Sequence, residues 1–247
     1  MAIYILWLRQ LKRFSRKRAA MIGALGQPLI FLLALGFGLS PIYAKAGAGS
    51  YIQFLSPGIV GMTILFSAIF TGVEIIWDKQ IGFMKEVFVA PVSRFSIMFG
   101  KALGTATVSV LQGTAILLIT FPVGFRPEHW ALLPLALVYM ILIAILCASL
   151  GTAIAARLDD MQAFPLIINF VIQPLFYLSG AIFPLKNLPT ILHWLTRLNP
   201  LSYGIDGLRY TLGGGHVFSP ILSLSVLAAV TLAVLLFGMY QFSKVEL

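Results

Sequence analysis

Long apolar runs alternate with short charged ones along this chain, and their lengths set the first expectation. A helix needs about 20 apolar residues to cross the hydrocarbon core of a bilayer. Stretches free of Asp, Glu, Lys and Arg run over Ala19–Ala44, Ala46–Val73, Ala102–Phe125, Trp130–Ala156 and Met161–Leu185, and Tyr210–Ser243 holds a sixth. The pattern predicts an all-α polytopic membrane protein with six transmembrane helices over residues 19–247. Residues 1–18 follow a different rule. Ile3, Trp7, Leu11 and Phe14 recur at helical spacing, with Arg9, Lys12, Arg13 and Arg16 on the opposite face. That is a basic amphipathic helix, expected to lie in the headgroup plane. It serves as a topology signal, as a platform for a partner, or as both.

Composition supports the membrane reading and charge gives it a direction. The chain has 247 residues, 60% hydrophobic and 10% charged, against about 25% charged residues in a soluble domain. Its formal net charge is +9. In a chain this apolar, such a surplus points to a sided membrane rather than to nucleic acid. With both termini inside, the inner segments carry Arg9, Lys12, Arg13, Arg16, Lys17, Arg18, Lys79, Lys85, Arg94, Lys101, Arg157 and Lys244, and the outer ones carry only Lys45, Arg126, Lys186, Arg197 and Arg209. The positive-inside rule therefore predicts cytoplasmic termini. Prolines 28, 57, 122, 134, 165 and 174 fall in or near the apolar runs, where neighbouring helices tolerate the kinks they cause. Gly100-x-x-x-Gly104 is a weak close-packing signal, short and interrupted by Lys101.

Several chemistries have no residues to carry them. No phosphate-binding G-x-x-x-x-G-K-[ST] loop occurs. His129, His193 and His216 lie far apart, without metal-ligand spacing, and no Ser, His and Asp form a nucleophile context. No catalytic residues, metal ligands or cofactor of this chain's own are expected. Polar residues within the spans are few. Asn169 and Gln173, four apart, share a face of the fifth span, and either bond another helix or form a polar strip along a substrate path.

One charged interruption stands out: Asp78 to Arg94, DKQIGFMKEVFVAPVSR, between the second and third spans. Ile81, Met84 and Phe88 form one helical stripe, with Phe83 and Val87 beside it. Lys79, Lys85 and Glu86 stay polar, and Pro91 ends any helix at or before Ala90. This predicts a stubby cytoplasmic helix, either a connector resting on the membrane or a knob for a partner. Between the fifth and sixth spans, Ile191, Leu192, Leu195 and Leu198 follow Pro189 at helical spacing, and Asn199-Pro200 breaks the pattern. Asp206 and Arg209, three apart, can pair on a second short helix ended by glycines 213–215.

Three blocks of the chain resemble one family. IIWDKQIGFMKEVFVAPVSR with Gly100-Lys101, YIQFLSPGIVGM at 51–62, and PLFYLSGAIFPLKNLPTILHWLTRLNPLSYGIDGLR at 174–209 are similar, in order, to the membrane subunits of ABC-type exporter permeases of the type-2 family. Drug-resistance and lipo-oligosaccharide (nodulation-type) export permeases are the nearest flavour. The resemblance implies a dimer, of two copies or of this chain with a related permease, in the cell membrane of a prokaryote. It implies a separate ATP-binding cassette subunit that holds ATP and Mg and does the hydrolysis. Asp78, Lys79, Phe83, Lys85, Glu86, Phe88, Pro91 and Arg94 would then form the coupling helix that the ATPase grips. Within 184–215, Pro184, Pro189, Asn199, Pro200, Tyr203, Asp206 and Arg209 would belong to an outer re-entrant hairpin that caps the exit. The alternative, a partner-independent secondary carrier, needs charged residues deep in the spans and an inverted repeat, and the sequence displays neither. Cargo of amphipathic, drug-like or lipid- or saccharide-linked character suits so apolar a path.

Overall fold

A computed structural model describes residues 2–16, 18–47, 49–80, 82, 93–158, 160–185, 189–213 and 215–243. The helices are α1 (Ala2–Arg16), α2 (Arg18–Lys45), α3 (Tyr51–Gln80), α4 (Arg94–Val123), α5 (Leu133–Arg157), α6 (Ala163–Ile167), α7 (Gln173–Tyr177), α8 (Thr190–Leu198), α9 (Pro200–Gly213) and α10 (Pro220–Ser243). A π-helical turn, Ile168–Ile172, joins α6 to α7. No strand occurs among the described residues.

Among the described residues, five helices are long and apolar enough to cross a membrane: α2 to α5 and α10. The fifth expected span takes another form. Its helical part is only Ala163–Tyr177, broken at its middle by the π turn. At 1.5 Å per residue that is about 22 Å, short of the roughly 30 Å hydrocarbon thickness. Residues 178–185 leave the helix in turns, with Gly180 at φ +78°.

α3 is the axis of the bundle and packs against α2, α4, α5 and α9. Ile59, Val60, Ile64, Ile69 and Ile76 on α3 are essentially inaccessible. Phe66 of α3 meets Phe176 of α7 edge-on at 5.7 Å. Small residues set the close approaches. A methyl group on Gly100 would meet the Ile3 carbonyl at 3.0 Å, and one on Gly104 would meet Gln10 Cβ at 2.7 Å. The Gly100-x-x-x-Gly104 face, a weak signal in the sequence, is thus the seat of α1 on α4. Gly207 of α9 lies so close to α5 that a Cβ would overlap the Tyr139 ring. Tyr139 is fully buried and donates its hydroxyl proton to the Pro220 carbonyl at 2.9 Å.

The ends of α4 follow local chemistry. Ser93, extended at φ −62° and ψ 137°, caps the N-terminus by accepting from the Ser96 amide. Gly124, at φ 114°, ends the helix in the left-handed conformation and donates its amide to Phe121 and Thr120 carbonyls. The helix starts eight residues before the expected span, so Lys101 lies two turns inside it rather than at its edge.

Candidate functional site

At the end of the bundle where α3 leaves and α4 returns, three helices, α1, α3 and α4, converge at Asp78. The Asp78 side chain is 5% exposed, and its Oδ2 accepts from Lys101 Nζ at 3.0 Å. Its Oδ1 lies 3.4 Å from Arg9 Nη2 and 3.5 Å from Arg13 Nη1, both on α1. One turn back on α3, Glu74 is 3.4 Å from Arg13 Nε and accepts from Gln10 Nε2 at 2.8 Å. Trp7 adds a bond from its indole N–H to Thr107 Oγ1 at 3.1 Å. Burial by itself favours a protonated Asp78. The Lys101 ammonium and the Arg9 guanidinium overcome it and hold the carboxyl below its usual range. The sequence contained every member of this cluster but not the pairing, because Asp78 and Lys101 are 23 residues apart and α1 comes from the far N-terminus. Arg9 and Arg13, expected on a headgroup-facing side, turn to these acids, whereas Lys12 and Arg16 stay exposed.

The residues expected in the coupling helix divide at this point. Asp78 faces inward, to Lys101 and α1, so its carboxylate supplies no free charge at the surface. Lys79 lies on the last turn of α3. Arg94 opens α4 and is exposed. Phe83, Lys85, Glu86, Phe88 and Pro91 lie outside the described residues.

A second buried polar set lies at the opposite end of α3. Asn199 donates to the Leu175 carbonyl at 2.6 Å and caps α9 by accepting from the Leu201 amide at 3.0 Å. Tyr203 donates to the Arg197 carbonyl at 2.9 Å and stacks on Phe218, centroids 4.6 Å apart. Asp206 accepts from the Val217 and Phe218 amides, both at 2.9 Å. Arg209 donates to the Gly180 carbonyl at 2.8 Å and lies 4.0 Å over the Phe54 ring, with its Nε buried and unpartnered. Burial pushes the Asp206 carboxyl above its usual range against the pull of the two amides and Arg209. Asp206 and Arg209 therefore do not form the direct pair that their spacing suggested; each binds backbone elsewhere. Nor is α9 a surface amphipathic helix: Leu201 through Arg209 are all buried. α8 fits that description better, with Ile191, Trp194 and Leu198 exposed. Pro184 and Pro189 are exposed, Pro189 as the N-cap residue of α8, and Pro200 opens α9 half-buried.

Asn169 and Gln173 flank the π turn. Asn169 is exposed and Gln173 half-buried, and among the described residues neither side chain hydrogen-bonds another helix. Exposed Leu166, Phe170 and Val171 surround Asn169 in sequence, leaving an outward apolar face with one amide in it. Among the described residues, no group of three His, Cys, Asp or Glu side chains is placed to hold a metal ion.

Comparison with known proteins agrees with this architecture. The chain is 28% identical over 211 residues to nodulation protein J of Rhizobium leguminosarum bv. viciae, covering 85% of this chain and 81% of that one. Against nodulation protein J of Rhizobium meliloti (strain 1021) it is 30% identical over 193 residues, 77% and 73% of the two chains. The putative transport permease ycf38 of Cyanophora paradoxa is 28% identical over 211 residues, 84% and 73%. The family model described as ABC-2 type transporter matches residues 1–212, and this multi-pass membrane chain, with five long apolar helices among its described residues, belongs to the ABC-2 type transporter family.

Proposed function

We propose that this chain is the membrane subunit of an ATP-driven exporter, working as a dimer with itself or a related permease and powered by a separate ATP-binding cassette subunit that holds ATP and Mg. It sits in a prokaryotic cell membrane with both termini cytoplasmic. The short segment Ala163–Tyr177 and the turns to Leu185 stand where a sixth crossing belongs. The exported molecule is amphipathic, drug-like or lipid- or saccharide-linked. In support, several relatives are nodulation proteins or transport permeases.

The observation that carries the coupling part is the Asp78 cluster. α3 ends at Gln80, two residues past Asp78, and α4 starts after its cap, Ser93. Lys101 ties the returning helix to the leaving one at 3.0 Å, and Arg9 and Arg13 tie α1 to both. A push on residues 81–92 from an ATPase reaches three helices together. On this reading Phe83, Lys85, Glu86 and Phe88 are the grip, and Asp78 is the joint behind it. At the other end, the buried anchors of α9 hold an outer closure of the path. A secondary carrier would need ionisable groups spread along the spans. Here the Asp78–Lys101 pair sits at one end of the bundle.

Pull-down of the ATPase subunit by a Phe83→Ala, Glu86→Lys double variant tests the grip. Loss of an apolar anchor and a reversed charge should abolish recovery while the permease still inserts. Normal ATPase recovery would rule the grip out. Asp78→Asn should retain the ATPase but fail to export.

A further inference from the structure

A cavity of about 360 Å³ lies among α1, α2, α3 and α4, apart from both polar clusters' cores and from the α6–α7 face. That volume is within the range of small-molecule sites, about 300 to 1,000 Å³. It follows one face of α3 from Met62 to Glu74, about 18 Å at helical rise. Its walls are of two kinds. Phe66 and Phe70, stacked 6.2 Å apart, present aromatic surface. Thr63, Gln27 and Gln112 bring polar groups into a stretch of helix that is otherwise apolar.

The polar groups are unbalanced. Gln112 is 6% exposed, and its Oε1 is buried with no hydrogen-bond partner. Thr63 is 2% exposed and commits its hydroxyl proton to the Ile59 carbonyl at 2.8 Å, which leaves its oxygen lone pairs. Gln112 Oε1 and Thr63 Oγ1 are therefore acceptor atoms to which no described residue donates. A buried acceptor left unmade is costly, and a molecule carrying donors would satisfy these two. At the Glu74 end the cavity is lined by Gln10 and Glu74, which bond each other at 2.8 Å. We infer that this cavity binds an amphiphile whose head carries hydrogen-bond donors, hydroxyl or amine, and whose body lies along the phenylalanines. The site belongs to one permease chain and does not depend on the α6–α7 face or on an ATPase. It stands whether or not the bound molecule is the one exported.

The test uses the permease alone, without ATPase, in phosphatidylcholine nanodiscs, a lipid whose head has no donors. The probe is an alkyl glucoside with a photoreactive tail, and labelled peptides are identified by mass spectrometry. Labelling should saturate on the α3 peptide spanning 62–74. Dodecyl glucoside should compete, whereas dodecylphosphocholine, with an acceptor-only head, and free glucose, with no apolar body, should not. Gln112→Leu and Thr63→Val should each weaken competition by about fivefold, the loss of one hydrogen bond, and Gln112→Glu should retain it. Equal competition by the two amphiphiles, labelling that never saturates, or unchanged affinity in a folded Gln112→Leu protein would overturn the site. The wild-type competition decides even if a variant fails to fold. Because no ATPase is present, a negative result leaves the export reading untouched.

Discussion

Each end of α3 buries a carboxylate and a cation, and the two ends solve that problem in opposite ways. At Asp78 the charges answer one another: Lys101, Arg9 and Arg13 gather on one acid, and the carboxyl is held low. At Asp206 the charges answer the backbone. The acid takes two loop amides, Arg209 takes a loop carbonyl, and burial drives the carboxyl up. Partly exposed arginines can exchange partners as helices shift, so the first arrangement suits a joint. Backbone bonds fix the 178–185 and 215–218 turns onto α9, so the second suits a fixed closure.

The largest break should come at the fixed end. Arg209→Met removes a buried guanidinium whose donor holds the Gly180 carbonyl and which lies over the Phe54 ring, so we expect a loss of about 3 to 5 kcal/mol. Thermal unfolding in detergent, followed by tryptophan fluorescence, reads it. A midpoint near wild type would mean that the α9 anchors do not hold the turns. Next comes Asp78→Asn, which removes the buried carboxylate that Lys101 faces at 3.0 Å, at a cost of about 2 to 4 kcal/mol. The Asp78→Asn, Lys101→Met double variant should regain most of that. Additive losses would show that the two do not act as a pair.

Titration sharpens the contrast. Asp78 is lower in the folded chain than unfolded, so its contribution is full above the ordinary carboxylate range and fades as pH falls toward the lowered value. Asp206 is raised, so its contribution is present below the ordinary range and is lost as pH rises through the raised value. Between pH 3 and 6, about the range of carboxylate titration, Asp78→Asn should remove a loss of stability on acidification, and Asp206→Asn a gain. Slopes that change in the same direction would erase the distinction. The smallest effect belongs to Arg9→Gln. That side chain is 35% exposed, so solvent screening holds the loss to about 1 kcal/mol or less; a larger one in the same unfolding assay would make Arg9 structural rather than an exchangeable partner.

How much of this was legible depends on range. The spans α2 to α5 and α10 follow from run length, because lipid leaves the backbone no partner but itself. α1 follows from a local stripe. The Asp78 cluster does not, since nothing within a few residues of Asp78 specifies Lys101 or Arg9. α9 was legible as a short helix but its burial was not: Gly204 and Gly207, which carry no apolar signal, bring it close to Ile143 and Tyr139 of α5. The π turn at 168–172 has no periodic signature in a uniformly apolar run, so a full span was expected where a short, interrupted one is found. Gly100-x-x-x-Gly104 was visible but unconvincing, since its partner α1 lies outside the spans.

The fit of Gly207 against Tyr139 constrains how this chain can diverge. A side chain at 207 would strike the ring, so residue 139 has to shrink first. Shrinking it removes the hydroxyl that reaches the Pro220 carbonyl at the start of α10. Descendants are therefore confined to one order of substitution: a new donor for that carbonyl, then a smaller residue at 139, and only then a larger one at 207. Lineages that never take the first step keep the glycine and the tyrosine together.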